Sequence, residues 1–156
     1  KSDNLRQIWL ICQKRSNMDV KVTLLDGMHL EGTASSGHKV FLDSSEAAGG
    51  KNEGFRPTEL IAVGTAGCTA MDVASIMRKK KVDFTSFEVR IHVESETASH
   101  PHVFKTMRFE YIVTGRNIVR KDVERAVQLS EEKYCPAIAM MRKTAEMSSV
   151  VTINQI

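Results

Sequence analysis

Cysteine is scarce in this sequence, and its distribution argues against two classes of small protein. The 156 residues contain three cysteines, Cys12, Cys68 and Cys135, and none belongs to a Cys-x-x-Cys pair. An odd number without such a pair is not typical of a disulfide framework or of a zinc ribbon. The one close histidine pair, His100 and His102, lies in a turn-like stretch, and we predict no metal or cofactor site.

Long apolar runs are also missing. The longest, such as 60–66, fall far short of the roughly 20 residues that span a bilayer, so we expect no transmembrane helix and no membrane partner. The first ten residues contain Asp3 and Arg6 and no apolar stretch of the length that a secretory signal requires, so we expect a cytoplasmic location. The glycine-containing stretch 44–56 does not end in Gly-Lys-Thr/Ser, which excludes a phosphate-binding P-loop.

The excess of one charge sign is small. With 22 basic and 19 acidic side chains the net charge is +3, and the one dense basic run, 78–81, follows a helical segment whose negative end it complements. We therefore predict no nucleic-acid partner. Hydrophobic residues make up 42% and charged residues 26%, which is ordinary for a globular protein. We predict an N-terminal extension with a short helix over 1–18 and a single domain over 19–156.

Hydrophobic periodicity predicts an α+β fold. Alternating residues indicate strands, Asp26-Gly27 is a hairpin signal, and Pro136 must interrupt a helix. The predicted elements are, in order, a strand from Asp19, its partner over 28–31, a strand over 39–43, a flexible connection over 44–56, a helix from Pro57 to about Lys80, two long antiparallel strands joined by 98–103, a helix from Asp122 that breaks at Pro136, and a last strand over 149–156.

The long helix is apolar on nearly all sides until Asp72. Such a helix is typically enclosed by the rest of the fold. Gly64 and Gly67 lie inside it, and each glycine disfavours a helix by about 1 kcal/mol relative to alanine. We therefore expect another backbone to pack closely against this face.

The two later cysteines occupy different kinds of position. Cys135 precedes Pro136 at a helix start, where unpaired amides and the helix dipole favour a thiolate and lower the pKa. Cys68 lies within a helix, where cysteine is more often a small hydrophobic residue than a nucleophile. Glu59 lies about 13 Å from Cys68 along one straight helix and nearly opposite in azimuth. The two can cooperate only if the helix breaks between them or if Glu59 serves Cys68 of a second subunit.

Three segments carry a specific pattern. They are Arg56-Pro57-Thr58-Glu59-Leu60, Ala66-Gly67-Cys68-Thr69-Ala70-Met71-Asp72-Val73 and Leu129-Ser130-Glu131-Glu132-Lys133-Tyr134-Cys135-Pro136. Together they resemble the motifs of the OsmC/Ohr family, the osmotically inducible and organic hydroperoxide resistance proteins. The resemblance covers 19–156 and is greatest to the branch with a Gly-Cys-Thr/Ser-x-x-Asp-Val helix and a Glu-Lys-Tyr-Cys segment.

The resemblance implies an intertwined homodimer in which antiparallel sheets wrap around long central helices. It also implies a peroxiredoxin-like thiol peroxidase that reduces organic hydroperoxides in oxidative-stress defence. In family terms Cys68 matches the peroxidatic thiol, Cys135 matches the resolving thiol, and Glu59 belongs to the same site. A dithiol or lipoyl-type reductant would complete the cycle.

One feature of the peroxidase branches cannot be aligned with this sequence. Those branches pair the glutamate with an arginine on an early loop, whereas Arg15 lies before the first predicted strand and Arg56 adjoins Glu59. Without such a cation Cys68 would react slowly, because nothing would stabilise its thiolate. Two other functions therefore stay open. One is a non-catalytic dimeric module that binds a hydrophobic small molecule in the interface cleft, and the other is a different cysteine-dependent activity, such as sulfur transfer or thioester cleavage.

Overall fold

A computed structural model describes residues 18–156 of the chain. The predicted N-terminal helix and Cys12 therefore lie outside the described residues. The described chain forms two compact units, 18–60 and 61–156. The division into an extension and a single domain stays a prediction.

The first unit is built on a three-stranded antiparallel sheet in the order β1-β2-β3. The strands are β1 (Val20–Asp26), β2 (His29–Ala34) and β3 (Lys39–Leu42), as the alternating pattern predicted. The hairpin signal is confirmed, since β1 and β2 pair across the predicted turn with Leu24 opposite Leu30. Gly27 adopts a positive φ of 54°, which glycine tolerates without strain.

The connection after β3 is more ordered than its glycine-rich composition predicted. It contains a short 3-10 helix, Glu46–Ala48, and its centre is the buried carboxylate of Asp43. That carboxylate accepts hydrogen bonds from the backbone N–H groups of Ser44, Lys51 and Glu53 at 2.7, 2.9 and 3.0 Å. These bonds, led by the one from Glu53, lower the pKa of Asp43.

The long helix is confirmed as α1 (Pro57–Lys79), and it is unbroken. Its composition predicted a helix enclosed on all sides, but residues 18–156 do not enclose it. Only one stripe with a spacing of four residues is buried, consisting of Thr65, Thr69, Val73 and Met77. By length and composition alone, the helix is also able to cross a membrane, although the short apolar runs of the sequence did not suggest this. Core helices of globular proteins meet the same two criteria.

The second sheet has the order β4-β5-β6, with strands β4 (Phe84–Ser95), β5 (Phe104–Gly115) and β6 (Glu146–Gln155). The antiparallel pairing of β4 with β5 is confirmed. The expectation of wholly antiparallel sheets is wrong at β6, which pairs with β5 in parallel. A parallel neighbour requires a crossover connection, and the helices between β5 and β6 supply it.

The crossover consists of α2 (Arg120–Leu129), one turn of π-helix (Ser130–Tyr134) and α3 (Pro136–Met141). The break predicted before Pro136 is confirmed. Apolar side chains of these helices pack with the buried stripe of α1 and the inner face of β5. The fully or nearly buried hydrophobic residues of this core are Val73, Met77, Met107, Phe109, Tyr111, Val113, Ile118, Val123, Ala126, Val127, Cys135, Ile138 and Ala145.

Candidate active site

The fold of the second unit brings Cys68 and Cys135 together. Cys68 projects from the middle of α1, and Cys135 lies between the π-helical turn and α3. Their Sγ atoms are 2.6 Å apart, with the Cys135 thiol donating to the Cys68 sulfur, and both cysteines are free. A disulfide between them needs only a short movement of the side chains.

The position of Cys135 follows from the residues on either side of it. The π-helical turn closes with the backbone N–H of Cys135 on the carbonyl oxygen of Ser130 at 2.9 Å. Pro136 then starts α3, since its fixed φ suits the first helical position and it has no N–H to satisfy. Cys135 is thereby the N-cap of α3, and its Sγ accepts a hydrogen bond from the N–H of Ile138 at 3.4 Å.

The electrostatics of Cys135 differ from the sequence-based expectation. Its place at a helix start predicted a lowered pKa, but burial raises the pKa of the thiol, and its hydrogen bond to Cys68 adds to the rise. The bond from Ile138 opposes these effects without overcoming them. Only 3% of Cys135 is exposed, whereas Cys68 is partly exposed. Cys68 is therefore the thiol that a molecule from solvent reaches first.

A buried chain of hydroxyl groups lies beside the cysteines. Thr69 Oγ1 is 2.9 Å from the Tyr111 hydroxyl and 3.0 Å from Ser130 Oγ, and all three residues are fully buried. The Tyr111 hydroxyl also donates to Glu131 at 3.2 Å. The pKa of Tyr111 is raised, mainly by burial, so its hydroxyl stays protonated. The chain fixes α1, β5 and the π-helical turn relative to one another.

Asp72 is a further polar residue at the site. Its Oδ2 accepts a hydrogen bond from the Ser130 hydroxyl at 3.1 Å. One carboxylate oxygen of Asp72 and the sulfur atoms of Cys68 and Cys135 lie within 4.8 Å of one another. The sequence reasoning did not assign a role to Asp72, although its spacing of four residues from Cys68 on a helix places both on one face. Ser130 could not have been found in this way, because no local pattern connects it to α1.

Glu59, the third residue predicted for the site, is placed at the beginning of α1. Its Oε2 accepts a hydrogen bond from the backbone N–H of Arg56 at 2.8 Å, which satisfies a free donor at the helix start. Because α1 is unbroken, its rise keeps Glu59 and Cys68 of one chain about 13 Å apart. The Arg56 guanidinium bonds to Gly54 and Asn52 within its own loop.

Two further features could hold a ligand, and both lie in the first unit. His29, Asp43 and Glu53 each place a ligand atom within 4.8 Å of the others. Separately, a groove of about 360 Å³ opens on the sheet of this unit. Its apolar lining is formed chiefly by Val20, Val22, Val40, Leu42 and Leu60.

Comparisons with known proteins agree with the motifs. The OsmC-like protein family matches residues 50–149. The chain is 33% identical over 131 residues to Protein YhfA of Escherichia coli strain K12, a match that covers 84% of this chain and 94% of the relative.

Solved structures share the fold at lower identity. The OsmC-like protein from Mycoplasma pneumoniae superposes with a TM-score of 0.76 at 12% identity, covering 90% of this chain and 99% of the other. An organic hydroperoxide resistance protein OsmC from Legionella pneumophila gives 0.65 at 17% identity, covering 88% and 98%. The matched segment contains Cys68, Cys135 and the whole of α1, and on this basis the chain belongs to the family of OsmC-like proteins.

Proposed function

We propose that the protein is a thiol peroxidase that reduces organic hydroperoxides through Cys68 and Cys135. The observation that supports this most strongly is the contact of the two sulfur atoms at 2.6 Å. Membership of the OsmC-like family and the shared fold of a hydroperoxide resistance protein support the choice of oxidant. We place the reaction in oxidative-stress defence in the cytoplasm, where thiols are kept reduced.

Cys68 is the peroxidatic residue in this proposal. Its sulfur attacks one peroxide oxygen, an S–O bond forms, and the O–O bond breaks. The alcohol leaves with a proton, and Cys68 becomes a sulfenic acid. The assignment rests on access, since Cys68 is partly exposed while Cys135 is buried.

Cys135 resolves the sulfenic acid. Its sulfur attacks the sulfur of Cys68, the S–S bond forms and the S–O bond breaks, and water leaves with the thiol proton. The net reaction converts two thiols and one hydroperoxide into a disulfide, an alcohol and water. A dithiol or lipoyl-type reductant then restores both thiols by exchange, which the partial exposure of Cys68 permits.

The proposed active form is a homodimer. Val63, Gly64, Gly67 and Met71 lie on the side of α1 that faces away from its buried stripe, and Val63 and Met71 are 51% and 71% exposed. A Cβ atom added to either glycine would meet nothing within 4 Å in the described chain, so the close backbone that the glycines predicted would have to come from a second copy. In such a dimer we assign Glu59 to the site of Cys68 in the other subunit.

Steady-state consumption of an organic hydroperoxide tests the proposal. We expect the reduced protein with a dithiol reductant to consume cumene hydroperoxide much faster than an equal concentration of free thiol. Cys68→Ser should abolish this activity, and Cys135→Ser should slow turnover by removing the resolving step. Cys12→Ser, which removes the third thiol of the chain, is the matched control. A wild-type rate equal to that of free thiol would contradict the proposal.

A second candidate, a module that binds a hydrophobic small molecule, is favoured by the apolar groove of the first unit. Val20 and Val22 of β1 and Val40 and Leu42 of β3 line it, and residues 32–34 of β2 lie between them. This function predicts that a fluorescent fatty acid binds with equal affinity to the wild type and to Cys68→Ser. Val22→Asp should abolish such binding, and absence of binding to the wild type would reject this candidate.

A further inference from the structure

The cluster formed by Cys68, Asp72 and Cys135 has the donor set of a soft-metal site. Its two sulfur atoms and one carboxylate oxygen lie within 4.8 Å of one another. Thiolate ligands select zinc-like ions, whereas magnesium and calcium prefer sites built only from oxygen. The proposed peroxidase reaction explains why the two sulfur atoms meet but gives no role to the carboxylate of Asp72, which lies beside them.

The side chains of the cluster are held in place by groups behind them. Asp72 is oriented by the Ser130 hydroxyl, which is itself bonded to Thr69. The sulfur of Cys135 is oriented by the N–H of Ile138. Hydrogen bonds of this outer kind are typical of genuine metal sites, where they fix the direction of each ligand.

Charge also favours a cation. Within residues 18–156, no lysine, arginine or histidine side chain forms a hydrogen bond or an ion pair with Cys68, Asp72 or Cys135. Ionising both thiols beside a carboxylate would place three negative charges together without compensation. A divalent ion removes that difficulty, because a coordinated thiol gives up its proton to solvent as the metal binds.

We propose that the fully reduced protein binds one Zn²⁺ ion through Cys68 Sγ, Cys135 Sγ and an oxygen of Asp72. Tetrahedral bonds of about 2.3 Å to sulfur require the two sulfur atoms to move apart by about 1 Å. Cys68 and Asp72 are partly exposed, so the ion enters from their side, and the fourth position is left to water. A disulfide removes both sulfur ligands, so the metal-bound and oxidised forms exclude each other. The site goes beyond the proposed peroxidase and does not depend on it.

Zinc titration of the reduced full-length chain, in competition with a chromophoric chelator and without peroxide, tests the site. We expect one ion per chain and the release of a proton from each thiol. Co²⁺ used as a spectroscopic probe should give thiolate-to-metal charge-transfer absorption. Cys68→Ser and Cys135→Ser should abolish stoichiometric binding, and Asp72→Asn should weaken it at least about tenfold. Protein oxidised to the disulfide with diamide should not bind.

Two control variants separate this site from incidental binding. Cys12→Ser removes the third thiol, and Asp122→Asn removes a partly exposed carboxylate of α2 that pairs with Lys80. Both variants should bind zinc like the wild type. Loss of binding in Cys12→Ser, unchanged affinity in Asp72→Asn, or an affinity no better than that of free dithiothreitol would overturn the proposal. Circular dichroism without metal checks the folding of each variant. If Asp72→Asn does not fold, Asp72→Glu must retain zinc binding and Ser130→Ala must weaken it. Loss of binding in Asp72→Glu together with unchanged binding in Ser130→Ala would contradict the site.

Discussion

Cys135 Sγ lies 2.6 Å from Cys68 Sγ, although 67 positions separate the two residues in the chain. The contact depends on two local features. Cys68 is held by the packed helix α1, and Cys135 is held at the point where the π-helical turn ends and Pro136 starts α3. One partly exposed thiol therefore faces one buried thiol, which is the arrangement expected of an attacking and a resolving cysteine.

The proposed division of roles between the two thiols predicts which species accumulates when one thiol is removed. In Cys135→Ser, one equivalent of hydroperoxide should leave a sulfenic acid on Cys68, because the resolving sulfur is gone. Dimedone trapping followed by mass spectrometry of the Cys68 peptide measures the sulfenic acid. The wild type, treated in the same way, should give little adduct. Equal trapping in the wild type and the variant would contradict a resolving role for Cys135.

The buried chain of hydroxyl groups predicts that loss of the Tyr111 hydroxyl lowers stability more than loss of the Tyr134 hydroxyl. Tyr111→Phe removes the bonds of the hydroxyl to Thr69 and Glu131, and we expect the free energy of unfolding to fall by about 1 kcal/mol. Tyr134→Phe, in the same sequence motif but 50% exposed, should change it by less than about 0.5 kcal/mol. Urea denaturation of both variants makes the comparison, and equal stabilities would show that the chain of hydroxyls does not support the fold.

Much of the fold was predictable from the sequence because local signals were strong. The Asp26-Gly27 turn, the alternation in β5 and the stop before Pro136 each correspond to an element in the structure. The parallel pairing of β6 was not predictable, since strand direction depends on how the crossover helices pack. The order in the loop after β3 also escaped prediction, because it comes from the bonds of Asp43 to backbone groups up to ten positions away.

The site was predictable only in part. Motif resemblance singled out Cys68 and Cys135, but the pKa of Cys135 was assigned the wrong direction. The helix-start position is local and visible in sequence, whereas the burial that outweighs it arises from side chains distant in the chain. Asp72 could have been placed beside Cys68 by its helical spacing, while Ser130 and Tyr111 join the site only through the tertiary fold.

The raised pKa of Cys135 predicts how stability depends on pH. The folded protein disfavours the thiolate, so the protonated thiol contributes stability that is fully present below the ordinary cysteine pKa near 9 and is lost as the pH rises above it. The reduced wild type should therefore lose stability as the pH rises from about 9 to about 12, the interval between the ordinary pKa of cysteine and the raised pKa of Cys135. Urea denaturation at several pH values measures this.

Cys135→Ala is the comparison variant for that dependence. It should be less stable than the wild type at pH 7 and should lose less stability on going to alkaline pH. Tyr111, whose pKa is also raised, keeps some pH dependence in both proteins. Identical slopes for the wild type and Cys135→Ala would mean that Cys135 ionises equally in the folded and unfolded states.

The open face of α1 predicts the effect of a substitution at Gly67. If that face met only water, Gly67→Ala would stabilise the helix by about 1 kcal/mol, since the added Cβ meets nothing within 4 Å in the chain. In the proposed dimer the Cβ would instead meet the second copy, so we expect weaker association. Sedimentation equilibrium measures it, with Lys121→Ala on α2 as the control. A more stable protein with unchanged association would reject this face as the dimer contact.

The most direct test of the central claim is a single-turnover reaction between the reduced protein and one equivalent of an organic hydroperoxide. Peptide mapping after alkylation should find the Cys68 peptide joined to the Cys135 peptide, in step with formation of the alcohol. Cys12 should be recovered as the alkylated thiol. If the hydroperoxide is consumed no faster than by free thiol, and Cys68 and Cys135 are both recovered alkylated, the pair is not a peroxidase site.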